Sequence, residues 1–115
     1  MAIISLLTDF GLQDEYVGLL KAVILGSDPS ATLVDLSHAV DPQDVTAAAF
    51  LLESSWRHFP PGSIHLVVVD PGVGTSRALL YLEAGGQRFL APDNGVLTLV
   101  IGRHGRAVPR RVEAP

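Results

Sequence analysis

The sequence contains no cysteine, one lysine and no apolar run long enough to cross a membrane. The absence of cysteine excludes disulfides, thiolate catalysis and cysteine-ligated zinc from these 115 residues, and it is typical of a reducing compartment such as the cytoplasm, where we expect the protein. Eight basic residues against 12 acidic ones give a net charge of −4, so no nucleic-acid partner is expected. Residues 1–10 lack a basic region and a long apolar stretch, so we expect neither a signal peptide nor a membrane partner.

What the chain does contain is enough apolar material for a packed core. Apolar residues make up 48% of the sequence, charged residues make up 17%, and the mean hydropathy is +0.36. This balance excludes a disordered or fibrous chain. We therefore expect residues 1–115 to belong to one globular domain.

Short apolar segments alternate with segments of helical periodicity. The order is a strand at 2–7, a helix at 15–25, a strand at 31–37, a helix opened by Asp41 and Pro42, and a strand at 64–69. Alternation of this kind predicts an α/β fold with a mostly parallel sheet and helices on both faces. Residues 78–92 contain the turn Gly85-Gly86 and predict a hairpin, and residues 95–101 predict a short last helix capped by Asp93 or Asn94.

The two main helices carry recognisable start and stop signals. In the first, the apolar residues recur at helical spacing and Gly26 marks the expected end, which predicts an amphipathic helix. In the second, we expect Asp41 to be the N-cap, with Asp44 three residues later. The apolar stripes consist of Tyr16, Leu19, Leu20, Val23 and Ile24 in the first helix, and of Val45, Ala48, Ala49 and Leu52 in the second.

Polar residues follow each of the three predicted strands. Asp9 follows the first strand, Asp35 and His38 lie at the end of the second, and Asp70 follows the third. Ligands of parallel sheets bind beyond the carboxyl ends of the strands. We therefore expect these four side chains near one rim of the sheet.

The turn "DPGVGTSR" places Asp70 and Arg77 at its two ends. An ion pair between them would either close the turn as a structural clamp or hold a polar nucleophile, and both interpretations stay open on these residues alone. The glycines do not match a phosphate-binding loop, because the lysine of that motif is absent and a strand rather than a helix is predicted to follow.

The acidic residues also allow a metal-site hypothesis. His38, Asp41 and Asp44 are spaced by three, and with Asp9, Asp35 and Asp70 they would suit magnesium or manganese. Against this, helix capping already accounts for Asp41 and Asp44, and a lone histidine such as His38 is more often a hydrogen-bonded loop residue than a metal ligand.

Four motifs in order and register identify a resemblance that covers residues 4–105. They are "LTDFGLQDEYVGLLKAVI", "VDLSHAVDPQDVTAAAFLL", "FPPGSIHLVVVDPGVGTSR" and "FLAPDNGVLTLV". With these motifs the chain resembles the adenosine-forming S-adenosyl-L-methionine hydrolases, also called SAM hydroxide adenosyltransferases. Fluorinases and chlorinases are related to this family.

The resemblance implies a reaction and roles for individual residues. Water or hydroxide attacks the ribose C5′ of S-adenosyl-L-methionine, which is the substrate, and no cofactor or metal is required. Asp70 and Arg77 match two members of the family's nucleophile-holding triad, whereas the triad histidine belongs to a later motif that this sequence lacks. Asp9 matches the aspartate that takes the ribose hydroxyls. Further pocket-lining or bracing positions are Asp14, Gln43, Gly72, Val73 and Asn94.

The resemblance also separates the hydroxide branch from the halogenating one. Halogenases have tyrosine at the position of Asp70 and an insertion where this chain has only Gly85-Gly86, so we expect a hydrolase. Complete family members have a β-rich C-terminal domain and form trimers. We expect an incomplete N-terminal domain that is active only within a complete chain or assembly. The alternatives are a non-catalytic nucleoside-binding remnant and a metal-dependent phosphohydrolase.

Overall fold

The computed structural model describes residues 2–69, 78–105 and 107–112. The helices are α1 (Tyr16–Ser27), α2 (Val45–Ser55) and α3 (Thr98–Arg103), and a short 3-10 turn, Trp56–His58, follows α2. The strands are β1 (Ile3–Thr8), β2 (Thr32–Ser37), β3 (Ile64–Val68), β4 (Leu79–Ala84), β5 (Gln87–Pro92) and β6 (Arg110–Val112). Within the described ranges, none of the helices has the length and apolarity needed to cross a membrane.

The strands form one sheet in the order β2-β1-β3-β5-β4-β6. β1 pairs in parallel with β2 and β3, β3 pairs in parallel with β5, and β4 is antiparallel to β5 and β6. The predicted mostly parallel α/β sheet is therefore confirmed, as is the hairpin, whose turn residues Gly85 and Gly86 have φ of 58° and 77°. The edge strand β6 was not predicted.

The position of β1 creates the topological feature that matters for a site. β1 lies between β2 and β3, so the connection through α1 runs to one side and the connection through α2 returns across β1 to the other. Because such crossovers are right-handed, α1 and α2 lie on opposite faces of the sheet. The carboxyl ends of β1 and β3 thus flank the switch point where open α/β sheets bind ligands.

The main core lies between the sheet and the face occupied by α2 and α3. Leu7 of β1 and Val67 of β3 are register partners and point into it. The predicted inner stripe of α2 is confirmed, because Ala48, Ala49 and Leu52 are buried there. The other large members of this core are Val40, Trp56, Val69, Leu82, Phe89, Val96, Leu97 and Val100.

A polar chain also crosses this core. His65 has no solvent exposure, and its Nδ1 lies 2.6 Å from Ser5 Oγ while its Nε2 lies 2.5 Å from Gln87 Oε1. The Gln87 amide nitrogen donates to the Phe59 carbonyl at 3.0 Å, which orients its oxygen toward the imidazole. The Nε2–H of His65 therefore donates to Gln87, and Nδ1 pairs with the Ser5 hydroxyl, so both ring nitrogens are paired.

The apolar stripe of α1 is largely exposed, although the apolar face of an amphipathic helix is expected to be buried. An amphipathic helix normally buries its apolar face, yet Tyr16 is 56% exposed, Leu19 55% and Val23 69%. Val17 is the buried residue of this helix. Periodicity thus predicted the helix correctly, but the described residues do not cover its stripe.

Three predicted helix boundaries need correction. The N-cap of α2 is Asp44, whose Oδ1 accepts from the Ala47 amide at 3.0 Å, whereas Asp41 lies in the preceding turn and accepts through its carbonyl from the Asp44 amide at 2.9 Å. Helix α1 continues through Gly26 to Ser27. The N-cap position of α3 is Leu97, without a side-chain cap, so neither Asp93 nor Asn94 caps that helix.

Candidate functional site

Asp9 lies where β1 ends, at the switch point of the sheet. Its side chain is half-buried, and its Oδ2 accepts a hydrogen bond of 2.8 Å from the backbone amide of Gln43. The structure therefore brings together two predicted site residues that are 34 positions apart in sequence. A carboxylate has about four acceptor positions, so Asp9 retains the capacity to accept further hydrogen bonds.

Gln43 has an unusual backbone conformation that makes this contact. Its φ of 65° lies in the left-handed region, and among the described non-glycine residues it is the one with positive φ. For a residue with a β-carbon this conformation costs roughly 1–2 kcal/mol. Such strain persists where the surroundings enforce it, and it concentrates at functional sites. The Gln43 side chain itself is exposed.

Asn94 follows β5 and fastens the neighbouring strand. Its Nδ2 donates to the carbonyl of Val69 at 2.8 Å, and its Oδ1 accepts from the amide of Val96 at 3.1 Å. The preceding residue, Asp93, donates its amide to the carbonyl of Ala78 at 2.9 Å. The adjacent residues Asp93 and Asn94 therefore bind Ala78 and Val69, which precede β4 and follow β3.

Asp14 is not brought to this group. It is exposed, and its Oδ1 accepts from the Tyr16 amide at 3.3 Å just before α1. This contact gives it a local structural role at the beginning of the helix. Nothing in the described contacts joins it to Asp9 or Gln43.

The other predicted site residues lie outside the described ranges. They are Asp70, Gly72, Val73 and Arg77, so the proposed pair of Asp70 and Arg77 stays a prediction. The described chain leaves β3 at Val69, which is fully buried, and resumes at Ala78. β3 lies between the parallel strands β1 and β5.

A chain of four hydrogen-bonded side chains adjoins Asp9. Lys21 Nζ lies 2.8 Å from Asp35 Oδ2, Asp35 Oδ1 lies 2.7 Å from His38 Nε2, and His38 Nδ1 lies 2.7 Å from Thr8 Oγ1. Thr8 and His38 are buried, whereas Asp35 and Lys21 are partly exposed. The hydrogen bond from Lys21, followed by that from His38, lowers the pKa of Asp35 below its usual value.

Sequence patterns indicated only two of these four side chains. Asp35 and His38 were expected near the rim because they end a strand, but Thr8 and Lys21 were missed. Thr8 lies 30 positions from His38, and no local pattern links them. The spacing of three residues between Asp35 and His38 is the local signal that could have indicated their hydrogen bond. The metal-site hypothesis treated both residues as possible ligands instead.

The geometry restricts two chemical interpretations of these residues. A Thr-His-Asp series resembles a nucleophilic triad, but Thr8 has no solvent exposure, so its hydroxyl cannot reach a substrate. In the described part of the chain, no three His, Asp or Glu side chains are grouped as metal ligands. Lys21 and His38 hold the two oxygens of Asp35.

Fold and site together define an α/β protein with a carboxylate at the switch point of its sheet. The family model for the SAM hydroxide adenosyltransferase N-terminal domain matches residues 4–114, and the chain belongs to this family. The (R)-S-adenosyl-L-methionine hydrolase of Thermus thermophilus is 45% identical over 93 residues, which cover 81% of this chain and 36% of that protein. The enzyme of the same name from Methanocaldococcus jannaschii is 37% identical, over 90% of this chain and 41% of that protein.

Solved structures show the same fold. An uncharacterized conserved protein from Thermotoga maritima superposes with a TM-score of 0.90 and 46% identity, over 96% of this chain and 43% of that chain. A conserved hypothetical protein from Thermus thermophilus gives a TM-score of 0.84 and 41% identity, over 100% of this chain and 48% of that chain. The chain thus spans less than half the length of these relatives.

A halogenating relative differs in length within the shared region. The fluorinase of Nocardia brasiliensis is 29% identical over 136 aligned positions, which cover 98% of this chain. Because the alignment is longer than this chain, the fluorinase has residues within the aligned span that this chain lacks.

Proposed function

We propose that this chain takes part in the hydrolysis of S-adenosyl-L-methionine to adenosine and L-methionine, as part of a complete chain or assembly. Membership of the SAM hydroxide adenosyltransferase family carries the proposal, and the names of the hydrolase relatives support it. The shorter aligned span relative to the fluorinase favours water or hydroxide over a halide as nucleophile.

In this proposal Asp9 binds the ribose of the substrate. One carboxylate can accept hydrogen bonds from both hydroxyls of a vicinal diol. The Gln43 amide occupies one acceptor position of Asp9 and fixes the orientation of the carboxylate before the ligand arrives. Asp9 also lies at the carboxyl end of β1, where α/β sheets bind ligands.

The remaining chemistry falls to the nucleophile and its neighbours. Attack of the oxygen on ribose C5′ forms the C–O bond as the C5′–S bond breaks, and the electron pair leaves on sulfur as a neutral thioether. No general acid is therefore needed. Making free hydroxide from water at pH 7 costs about 12 kcal/mol. We infer that Asp70 and Arg77 orient the attacking water and that the Asp70 carboxylate accepts its proton during the attack, so that no free hydroxide is generated.

The test measures, by chromatography, the release of adenosine and methionine from S-adenosyl-L-methionine. We would assay this chain alone and fused to the part of the Thermus thermophilus hydrolase that lies beyond the matched span. In the active form, Asp70→Asn should lower the turnover number by about 100-fold or more, because it removes the group that accepts the proton of water.

Asp28→Asn provides the matched control. Asp28 precedes β2, at the opposite end of the strands from Asp9, and its side chain accepts from Ser30. The control should keep full activity. If the Asp70→Asn variant and the unaltered protein form adenosine at equal rates, Asp70 has no part in the mechanism. If neither the chain alone nor the fusion forms adenosine, the proposed reaction is contradicted.

A further inference from the structure

The loop that carries Asp9 is fastened from both sides by one residue, His38. On one side, His38 Nδ1 lies 2.7 Å from the hydroxyl of Thr8, and that hydroxyl also accepts the amide of Phe10 at 3.2 Å. On the other side, the backbone carbonyl of His38 accepts the amide of Gly11 at 2.7 Å. Asp9 lies between these anchoring points, so its backbone position depends on His38.

The hydrogen-bonding pattern of this cluster is complete. His38 Nε2 pairs with Asp35, His38 Nδ1 pairs with the Thr8 hydroxyl, and the hydroxyl oxygen accepts from the Phe10 amide. Each buried group is thus satisfied, and the imidazole has one preferred orientation. On the surface, Lys21 holds the second oxygen of Asp35 and so fixes the carboxylate.

We propose that His38 is a positioning residue for Asp9, with Asp35 and Lys21 holding the imidazole in place. The inference rests on the proposed function in one respect, namely that Asp9 accepts the ribose hydroxyls. His38 does not contact the ligand in this proposal. It sets the place and direction of the carboxylate, and the strained Gln43 amide then completes the orientation.

The first experiment measures the loop without any ligand. Amide hydrogen exchange by NMR should be at least tenfold faster at Phe10, Gly11 and Gln43 in His38→Ala than in the unaltered chain, because all three amides depend on the placement of this loop. Exchange at the core amide of Val67 should stay unchanged. Unaltered loop exchange would overturn the proposal, and so would an equal acceleration in the core, which would mark a general loss of stability.

Two further variants keep this experiment decisive if His38→Ala does not fold. His38→Gln retains one donor and one acceptor, so its loop exchange should lie between the two extremes. Lys21→Met removes only the surface end of the chain and should accelerate the same loop amides by a smaller factor. His58→Ala, at an exposed histidine outside this cluster, is the control and should leave loop exchange unchanged.

The second experiment separates positioning from the proposed function. Calorimetry compares adenosine with 2′,3′-dideoxyadenosine, which lacks both ribose hydroxyls. The unaltered chain should prefer adenosine, and His38→Ala should reduce that preference at least fivefold while binding of 2′,3′-dideoxyadenosine changes little. A preference that survives in His38→Ala would overturn the positioning role and leave the role of Asp9 intact. Lack of preference in the unaltered chain would count against ribose binding by Asp9, whereas the exchange experiment would still decide whether His38 positions the loop.

Discussion

At the scale of single residues, this protein contains two histidines whose burial leads to different consequences. His38 connects the surface to the loop at Asp9, whereas His65 is enclosed in the core between Ser5 and Gln87. Burial lowers the pKa of His65 below its usual value, and the hydrogen bond to Gln87 opposes this effect. His65 therefore links the stability of the fold to pH.

We predict that the free energy of unfolding falls as the pH decreases through about 6.5. The unfolded chain binds a proton on His65 at its ordinary pKa of 6.5, whereas burial lowers this pKa in the folded chain. The unfolded chain therefore binds more protons below pH 6.5, so stability is lost as the pH falls through that value. One such proton gives a slope of up to about 1.4 kcal/mol per pH unit.

Urea unfolding between pH 7.5 and 5 measures this slope, with His65→Gln as the comparison. The variant is less stable at neutral pH because the new side chain fills the site less well, but its profile should be flatter. Equal slopes in both proteins would show that His65 does not titrate on unfolding.

At the scale of secondary-structure elements, the hairpin of β4 and β5 shows how closely a turn can approach the core. Both turn glycines have positive φ, which suits the type I′ turn typical of two-residue hairpins. A β-carbon on Gly85 would lie 2.7 Å from the ring of Trp56, whereas one on Gly86 would meet nothing within 4 Å. A side chain would therefore be strained by the backbone conformation at both positions, but only at Gly85 would it also collide with Trp56.

We predict that Gly85→Ala destabilises the fold more than Gly86→Ala. Gly86→Ala should cost about 1–2 kcal/mol from its backbone conformation alone. Gly85→Ala should cost a further 1–3 kcal/mol, because the buried Trp56 must shift. Thermal unfolding of the two variants side by side measures the difference, and equal losses would show that Trp56 moves freely.

Local patterns predicted most elements but not their partners. Apolar runs predicted β1, β2 and β3, and paired glycines predicted the hairpin. β6 was missed because three exposed residues that pair across the sheet with β4 carry no local pattern. Asp41 was taken as a cap because it and Asp44 are both good capping residues, and only the backbone of the turn distinguishes them.

For the candidate site, too, local sequence patterns located a residue but not the residues that contact it. Asp9 could be located because a carboxylate after a buried strand lies at a rim. Its partners could not, because the contact with Gln43 joins distant segments and depends on a left-handed backbone conformation. The connection from His38 to Thr8 likewise depends on how β1 and β2 are paired.

At the scale of the whole molecule, the two faces of the sheet are packed unequally. The face under α2 and α3 contains the main core, while the apolar stripe of α1 is mostly exposed. Phe10 and Tyr16 meet edge to face with centroids 6.1 Å apart, which extends the apolar surface of α1 toward Asp9. Folding stability should therefore depend mainly on one face.

We predict that leucines on the two faces of the sheet differ strongly in their contribution to the free energy of unfolding. Leu52→Ala on α2 should lower the free energy of unfolding by about 2–5 kcal/mol, because it leaves a cavity in the core. Leu19→Ala on α1 should change it by less than about 0.5 kcal/mol, because Leu19 is 55% exposed. Chemical denaturation measures both, and similar losses would show that the stripe of α1 is covered in solution.

The turn after β5 has a consequence for how this fold can be varied. Asp93 and Asn94 bind the residues on either side of positions 70–77, one to Ala78 and one to Val69. The two attachment points are therefore set by side-chain and backbone groups outside the segment that joins them. For protein engineering, Val69 and Ala78 are the two fixed attachment points between which substitutions at positions 70–77 can be compared on one background.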